Sequence, residues 1–439
     1  MKVSLPVAIV TLVSGLLAAT AGPLVLYGYR EGFEDLQPLR ALLVAGPGLV
    51  VAAVLAALLS RRIARPLDAV AGALDRMARF IVEPRVGPTS RVKEIARVQE
   101  AADRMKASLV SFARHAPEEI VRETIANGHE AVLRGEAREV TLLFCDLRGF
   151  TALAESMKAD EVVAVLNDHL DILASIVARH GGYVVDFLGD NLFAVFGAPR
   201  AGDDHAARAV GCALEMQRAR QARNADYFER GWPPLEMGVG ISGGPAVVGN
   251  MGSPRRIKYG VIGHPVNLAA RIESFAVAGQ VLVSDATRRA LADRLIVHGP
   301  FEAEAKGVGS VTRMWEVRGL RNEAPSELPP LALGIASLAR PLDARLRLVR
   351  GKHFDVEAHP ARILALGPTS AEVACPVPVA PLDPVQLLFC WHDGGPAILG
   401  GKVIEIGVRA RVDRALLIRL EGLGWDTRSR LEALSRTRS

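Results

Sequence analysis

The sequence predicts an α+β chain in four parts: two transmembrane helices, a helical linker, a mixed α+β domain and a small C-terminal β-barrel. Three observations predict it. Two uncharged apolar stretches, 3–29 and 41–60, open the chain, and heptad-spaced apolar residues follow them. Beyond residue 136 strand and helix patterns alternate, and past residue 334 short strands dominate. A chain of 439 residues has room for two or three cores, since one core rarely grows much beyond roughly 250 residues.

Each apolar stretch reaches the roughly 20 residues that cross about 30 Å of hydrocarbon as a helix. Lys2 precedes the first, Arg61, Arg62 and Arg65 follow the second, and the loop 30–40 mixes two Arg with Glu31, Glu34 and Asp35. By the positive-inside rule both chain ends are then cytoplasmic. Ala19-Thr20-Ala21 has the small-residue pattern of a signal-peptide cleavage site, but the apolar run continues through Leu24, Val25 and Leu26, which favours a retained helix.

The net charge of +5, from 53 basic and 48 acidic residues, is mild, and no nucleic-acid motif accompanies it. Part of the excess is a tail with Arg428, Arg430, Arg436 and Arg438, expected to be solvated, with contact to anionic lipid as the alternative. Cys145, Cys212, Cys375 and Cys390 lack metal-ligand spacing and are expected to be reduced packing residues.

In the linker, Ile63, Leu67, Val70, Leu74, Met77 and Ile81 form one coiled-coil seam, and Ile95, Val98, Ala102, Met105, Leu109 and Phe112 form a second. A break at 83–90, with Pro84, Gly87 and Pro88, separates them. Two short heptad helices close a parallel bundle only when a second chain supplies the other half, which predicts a homodimer. With Pro66 early in the first helix and Glu94 opening the second, residues 61–114 resemble the HAMP linker of bacterial transmembrane receptors; a plain coiled-coil spacer is the alternative. The resemblance implies a multi-pass protein of a bacterial inner membrane with its remaining domains in the cytoplasm. A short helix-forming stretch at 117–127 fills the transducer segment 115–135.

The domain at 136–320 opens with an apolar strand that ends in Asp146, followed by a Gly-containing turn into Phe150 and Thr151. The turn leaves the backbone amides of 148–151 free to face phosphate oxygens. A helix pattern covers 159–180. Two apolar strands around Gly189-Asp190 then read as a hairpin that brings a second carboxylate to a turn. Two carboxylates at adjacent strand ends can hold divalent cations on a polyphosphate, although either aspartate alone is more often a turn former.

Four blocks in order, Arg138 to Thr151, Gly181 to Phe196, Met237 to Gly249 and Lys258 to Ile272, with Ala305-Lys306-Gly307 before a last strand, resemble the class III adenylate/guanylate cyclases. The resemblance implies a ferredoxin-like βαββαβ core acting as a homodimer on ATP or GTP, with Asp146 and Asp190 holding two Mg²⁺ or Mn²⁺ ions. It implies that Asn267 orients the ribose, Arg271 stabilises charge on the transferring phosphorus, and Phe150, Thr151 and Lys306 meet the triphosphate. Asn267 and Arg271 stand four apart and so share one helix face. An interface helix carrying a cap and a salt bridge would explain either one singly.

The base-selecting positions depart from the adenylate pattern: Asp186 stands where a lysine is usual, and Lys258 or, by alignment, Gly260 where Asp or Thr is usual. An aspartate facing N1 and a lysine facing position 6 complement guanine and mismatch adenine. This leans to GTP, whereas most bacterial members of the family use ATP. Two further readings stay open, an Asp186–Lys258 pair that leaves a permissive pocket, and a weak or inactive cyclase-fold nucleotide sensor or scaffold.

Residues 321–334 read as a Pro-rich linker. Six short strands, at 345–349, 361–366, 371–377, 385–392, 401–406 and 415–420, and a helix at 427–434 follow. Their order resembles a PilZ domain, with departures: Arg340 and Arg345 are separated by four residues, and Ala365, Gly367 and Ser370 stand in its Asp-x-Ser-x-x-Gly signature. The expectation is a barrel, for docking an unknown partner, without that family's cyclic dinucleotide.

Overall fold

The computed structural model describes residues 65–78, 92–113, 133–230, 232, 234–253, 256–304, 311–321, 327–328, 334–350, 353–391, 394–409, 412–423 and 425–436, with scattered positions before residue 64. The predicted spans at 3–29 and 41–60 lie almost wholly outside these residues, as do the linker break, the transducer helix and Lys306. Among the described residues no helix is long and apolar enough to cross a membrane. The chain divides into two units, Met1–Ala131 and Val132–Ser439.

In the first unit, α1 (Arg65–Ala78) carries Leu67, Val70, Leu74 and Met77 of the first predicted seam, whose Ile81 lies outside the described residues, and α2 (Lys93–Ala113) carries the second. Val70, Ala73, Met77 and Ala102 form a small buried cluster. Leu67, Leu74, Val98 and Met105, which alternate with them along the seams, are exposed.

The second unit holds two sheets. Its first part runs β1 (Arg134–Leu147), α3 (Phe150–Ser156), α4 (Ala159–Arg179), β2 (Tyr183–Leu188), β3 (Asn191–Phe196), α5 (His205–Glu229) and β4 (Met237–Ser253). It continues with β5 (Arg256–Ile262), α6 (His264–Phe275), β6 (Val281–Ser284), α7 (Asp285–Leu291), β7 (Leu295–Glu304) and β8 (Val311–Leu320). The strand order is β2-β3-β1-β4-β6-β8-β7, with β5 paired to β4. Within it β2-β3-β1-β4, antiparallel throughout, is the expected ferredoxin-like core.

Strand β1 is central, which is why it reads as an unbroken apolar run. Leu143, Cys145 and Leu147 point to the side where α4 and α5 pack. Val140, Leu142 and Phe144 point to the other side, where Val266, Ala269 and Ala270 of α6 cover them. Phe144 stacks on Phe193 at 4.4 Å between ring centres, directly across the β1–β3 pair.

The C-terminal part is a closed barrel. Strands β9 (Ala336–Arg350), β11 (His359–Leu366), β12 (Ser370–Ala374), β13 (Pro384–Cys390), β14 (Pro396–Arg409) and β15 (Val412–Glu421) form six staves, with β10 (His353–Phe354) an extra ribbon on β9. The β9–β13 pairing closes the ring and removes both edges. Helix α8 (Trp425–Arg436) follows, with Leu431 buried in the barrel core.

Two expectations are corrected. Cys145, Cys212 and Cys375 are buried, but Cys390 is exposed at the end of β13 and is no core packing residue. The basic tail is not simply solvated: Arg428 Nη2 donates to Glu236 Oε2 at 2.9 Å, and the Arg430 guanidinium lies 4.5 Å from the Trp391 ring centre.

Candidate active site

Asp146 is the penultimate residue of β1, and the Cys145–Leu192 pairing brings it beside the β2–β3 turn that holds Gly189 and Asp190. Gly189 takes φ +71°, which lets a two-residue turn close the hairpin. The Asp190 carboxyl lies close enough to Asp146 to act on its ionisation. Burial, reinforced by the nearby Glu273 and Asp190 charges and opposed by Arg148, pushes the Asp146 carboxyl up to about 7. The pocket thus holds more negative charge than its one arginine offsets. Hard divalent cations fit such an all-oxygen pair, with the remaining ligands left to water and phosphate. Among the described residues no group of three or more His, Cys, Asp or Glu side chains is arranged to hold a metal ion by itself.

Sequence reasoning missed what stands behind Asp146. Arg148 Nη2 donates to Glu273 Oε1 at 2.5 Å and to the Glu273 carbonyl at 2.7 Å, while Nη1 lies 3.6 Å from Asp146 Oδ2. Burial disfavours the charged Arg148, but Glu273, Glu421 and Asp146 more than offset this and raise its pKa. Burial likewise raises the Glu273 carboxyl against the pull of Arg148. The signal lay in the Gly238-Val239-Gly240 run. A Cβ at Gly238 would meet Arg148 Nη2 at 2.1 Å, and one at Gly240 would meet the Glu273 amide nitrogen at 2.1 Å. The two glycines open space for the arginine and for α6.

Asn267 and Arg271 lie on α6 as expected, the first exposed and the second half-buried, with Ala269 and Ile272 turned to the core. Among the described residues no hydrogen bond or ion pair joins either of them to Asp146. Gly149, at φ +70°, turns the chain from β1 into α3, which starts with Phe150 packed on the core and Thr151 exposed. Lys258 Nζ donates to Asp186 Oδ2 at 2.5 Å, so these two positions meet each other; Gly260 sits beside them on β5, opposite Gly249.

This sheet sets paired carboxylates beside a flanking helix, an arrangement able to hold divalent cations on a polyphosphate. Residues 132–316 match the adenylate and guanylate cyclase catalytic domain family. The chain is 32% identical over 283 residues to adenylate cyclase 1 of Rhizobium meliloti, covering 64% of this chain and 43% of that one. It is 30% identical over 251 residues to an adenylate cyclase of Anabaena cylindrica, covering 53% and 49%. The chain thus spans less than half the length of these curated relatives. Among solved structures it is similar to the guanylyl cyclase Cya2, with 42% identity, 44% of this chain and 99% of that chain covered, and a TM-score of 0.43.

Proposed function

We propose that this protein is a membrane-bound, homodimeric class III nucleotide cyclase that converts a nucleoside triphosphate, GTP by preference, to its 3′,5′-cyclic nucleotide and pyrophosphate. The observation that carries this reading is the Asp146–Asp190 carboxylate pair at the sheet end of a cyclase-family domain. Divalent cations, two Mg²⁺ or Mn²⁺, held by these carboxylates would neutralise the polyphosphate. The ribose 3′-oxygen loses its proton and bonds the α-phosphorus, and the bond to the pyrophosphate oxygen breaks. Asn267 orients the ribose and Arg271 meets the charge growing on the phosphorus centre, both from the partner protomer. Lys306 and the turn at Phe150 and Thr151 receive the terminal phosphates.

The exposed Leu67, Leu74, Val98 and Met105 support a HAMP-like dimer, since they are the seam positions one copy leaves uncovered. The apolar stretches at 3–29 and 41–60 support anchorage in a bacterial inner membrane, with a signal passing through the linker to the catalytic dimer. The closed six-stranded barrel and its terminal helix support a PilZ-like architecture at the C-terminus.

GTP is favoured by the chemistry of Asp186 and Lys258. Their ion pair is half exposed and worth under about 1 kcal/mol, so a base that satisfies both groups can displace it. Guanine does so with its N1–H and O6. The same pair also favours a permissive pocket that takes either base, and a nucleotide sensor without turnover is the alternative reading. The full-length protein in detergent, given Mn²⁺ with GTP or ATP, decides. Pyrophosphate release that Asp146→Ala abolishes supports the cyclase; no release with either nucleotide sinks it.

A further inference from the structure

Among the described residues the barrel grips the sheet domain at two places, the end of α6 and the turn after Asp146. At the first, Lys402 of β14 is buried, and its Nζ donates to the Ser274 carbonyl at 2.7 Å and to the Ala276 carbonyl at 3.0 Å. These carbonyls belong to the end of α6, whose last turn has no intrahelical donors for them. A cation at a helix C-terminus also complements the helix dipole. Glu421 of β15 lies 3.9 Å from the same ammonium. Beside it Leu382, at φ +73°, is buried in one cluster with Ile272 and Ala276. A leucine held in the left-handed region persists only where packing over-determines it.

At the second place, Glu236 receives Arg419 Nη2 at 3.0 Å and Arg428 Nη2 at 2.9 Å, one oxygen each. The Glu236 carbonyl accepts the Arg148 amide at 2.8 Å. Gly149 and Gly422 approach so closely that a Cβ on Gly149 would lie 2.2 Å from the Gly422 Cα. The barrel therefore grips both the turn after Asp146 and the helix that carries Asn267 and Arg271.

We propose that the C-terminal barrel is a fixed part of the catalytic scaffold, and that Lys402 is a positioning residue that sets α6, and with it Asn267 and Arg271, by holding the Ser274 and Ala276 carbonyls. The proposal rests on the cyclase reading for its kinetic consequence but not for the contact itself. Lys402 is buried against the end of α6, so its removal acts on the geometry of turnover rather than on nucleotide affinity. Small displacements of positioned groups cost about ten- to a hundredfold in rate.

The test uses the full-length protein in detergent with Lys402→Met and Lys402→Arg. Steady-state kinetics with Mn²⁺ and each nucleotide and hydrogen exchange along α6 and the barrel strands are measured. In Lys402→Met, kcat falls about tenfold or more with KM within about twofold, and the amides of 272–276 exchange at least about tenfold faster. Lys402→Arg, which keeps a donor pair, recovers most of both. Unchanged α6 exchange with the barrel still protected overturns the proposal, as does a loss that falls wholly on KM. If Lys402→Met exposes the barrel itself, Leu382→Ala replaces it, and α6 must again loosen while the barrel stays protected. Wild-type protein without turnover refutes the cyclase reading, and the exchange measurements alone then decide the contact.

Discussion

Lys258 Nζ lies 2.5 Å from Asp186 Oδ2, which ties β5 to β2 where the base of a nucleotide is expected. Each side chain presents the charge opposite to that usual in adenylate cyclases. Exchanging them keeps the pair and inverts its edge, so Asp186→Lys with Lys258→Asp should favour adenine. The expected outcome is a shift of at least about tenfold in the ratio of kcat/KM for GTP over ATP, towards ATP. Parallel assays with both nucleotides read it, and an unmoved ratio would remove these residues from base selection.

Asp146 carries a pH signature. Its carboxyl titrates near 7 in the metal-free fold and near the ordinary 3.8 when unfolded. Between these values the fold holds a proton the unfolded chain has released, so stability from this group is present below about pH 4 and lost as pH rises through about 7. A divalent cation must displace that proton, so its affinity rises with pH across the same window. Thermal unfolding with and without Mn²⁺ at pH 6 and pH 8 checks this. The midpoint gain should be larger at pH 8, and Asp146→Asn should abolish it at both.

His169 works in the opposite direction. It is buried between α4 and α5, with Nδ1 3.3 Å from Arg220 Nη1, and burial and Arg220 pull its pKa down to about 3. The folded chain keeps it neutral while the unfolded chain protonates it near 6.5. Stability from His169 is thus present above about pH 6.5 and lost as pH falls towards 3, with a slope approaching about 1.4 kcal/mol per pH unit. Urea unfolding at pH 7 and pH 5.5 should show this loss, and His169→Gln should reduce it. Trp232, whose ring centre lies 5.2 Å from that of Tyr227 beside Arg220, reports locally by its fluorescence.

Much of this was legible because it is written in period and order. The Gly189-Asp190 hairpin, the β1 run into Asp146 and all six barrel strands follow from alternation and turn chemistry, which act over a few residues. The buried network was not legible, because Arg148, Glu236, Glu273, Lys402 and Glu421 are far apart in the chain and each alone looks like surface charge. Lys402 reads as one more basic residue in a strand, and only the barrel's seat against α6 buries it. Arg428 was misjudged for the same reason: a terminal run of arginines carries no local mark of the glutamate it will meet.

The Arg148–Glu273 pair offers the strictest test of that network. Both side chains are nearly buried, and the arginine also faces Asp146. Removing one partner leaves the other's buried charge uncompensated, which costs about 3–5 kcal/mol, whereas removing both takes away both charges of the pair and leaves only Asp146 and Glu421 without the arginine. Arg148→Met should therefore destabilise strongly, and Arg148→Met with Glu273→Met should recover part of the loss, a coupling of at least about 1 kcal/mol in a double-mutant cycle. A purely steric role for Arg148 predicts the reverse, since two truncations would leave the larger void and additive costs. The charge account makes a further demand. Arg148 lowers the Asp146 pKa, so Arg148→Met should move the pH dependence of Mn²⁺ stabilisation upward. Replacing Glu273 alone with Gln removes a neighbouring negative charge and should move it downward. Opposite shifts from two residues in contact would show that the arginine and the glutamate act on Asp146 through charge.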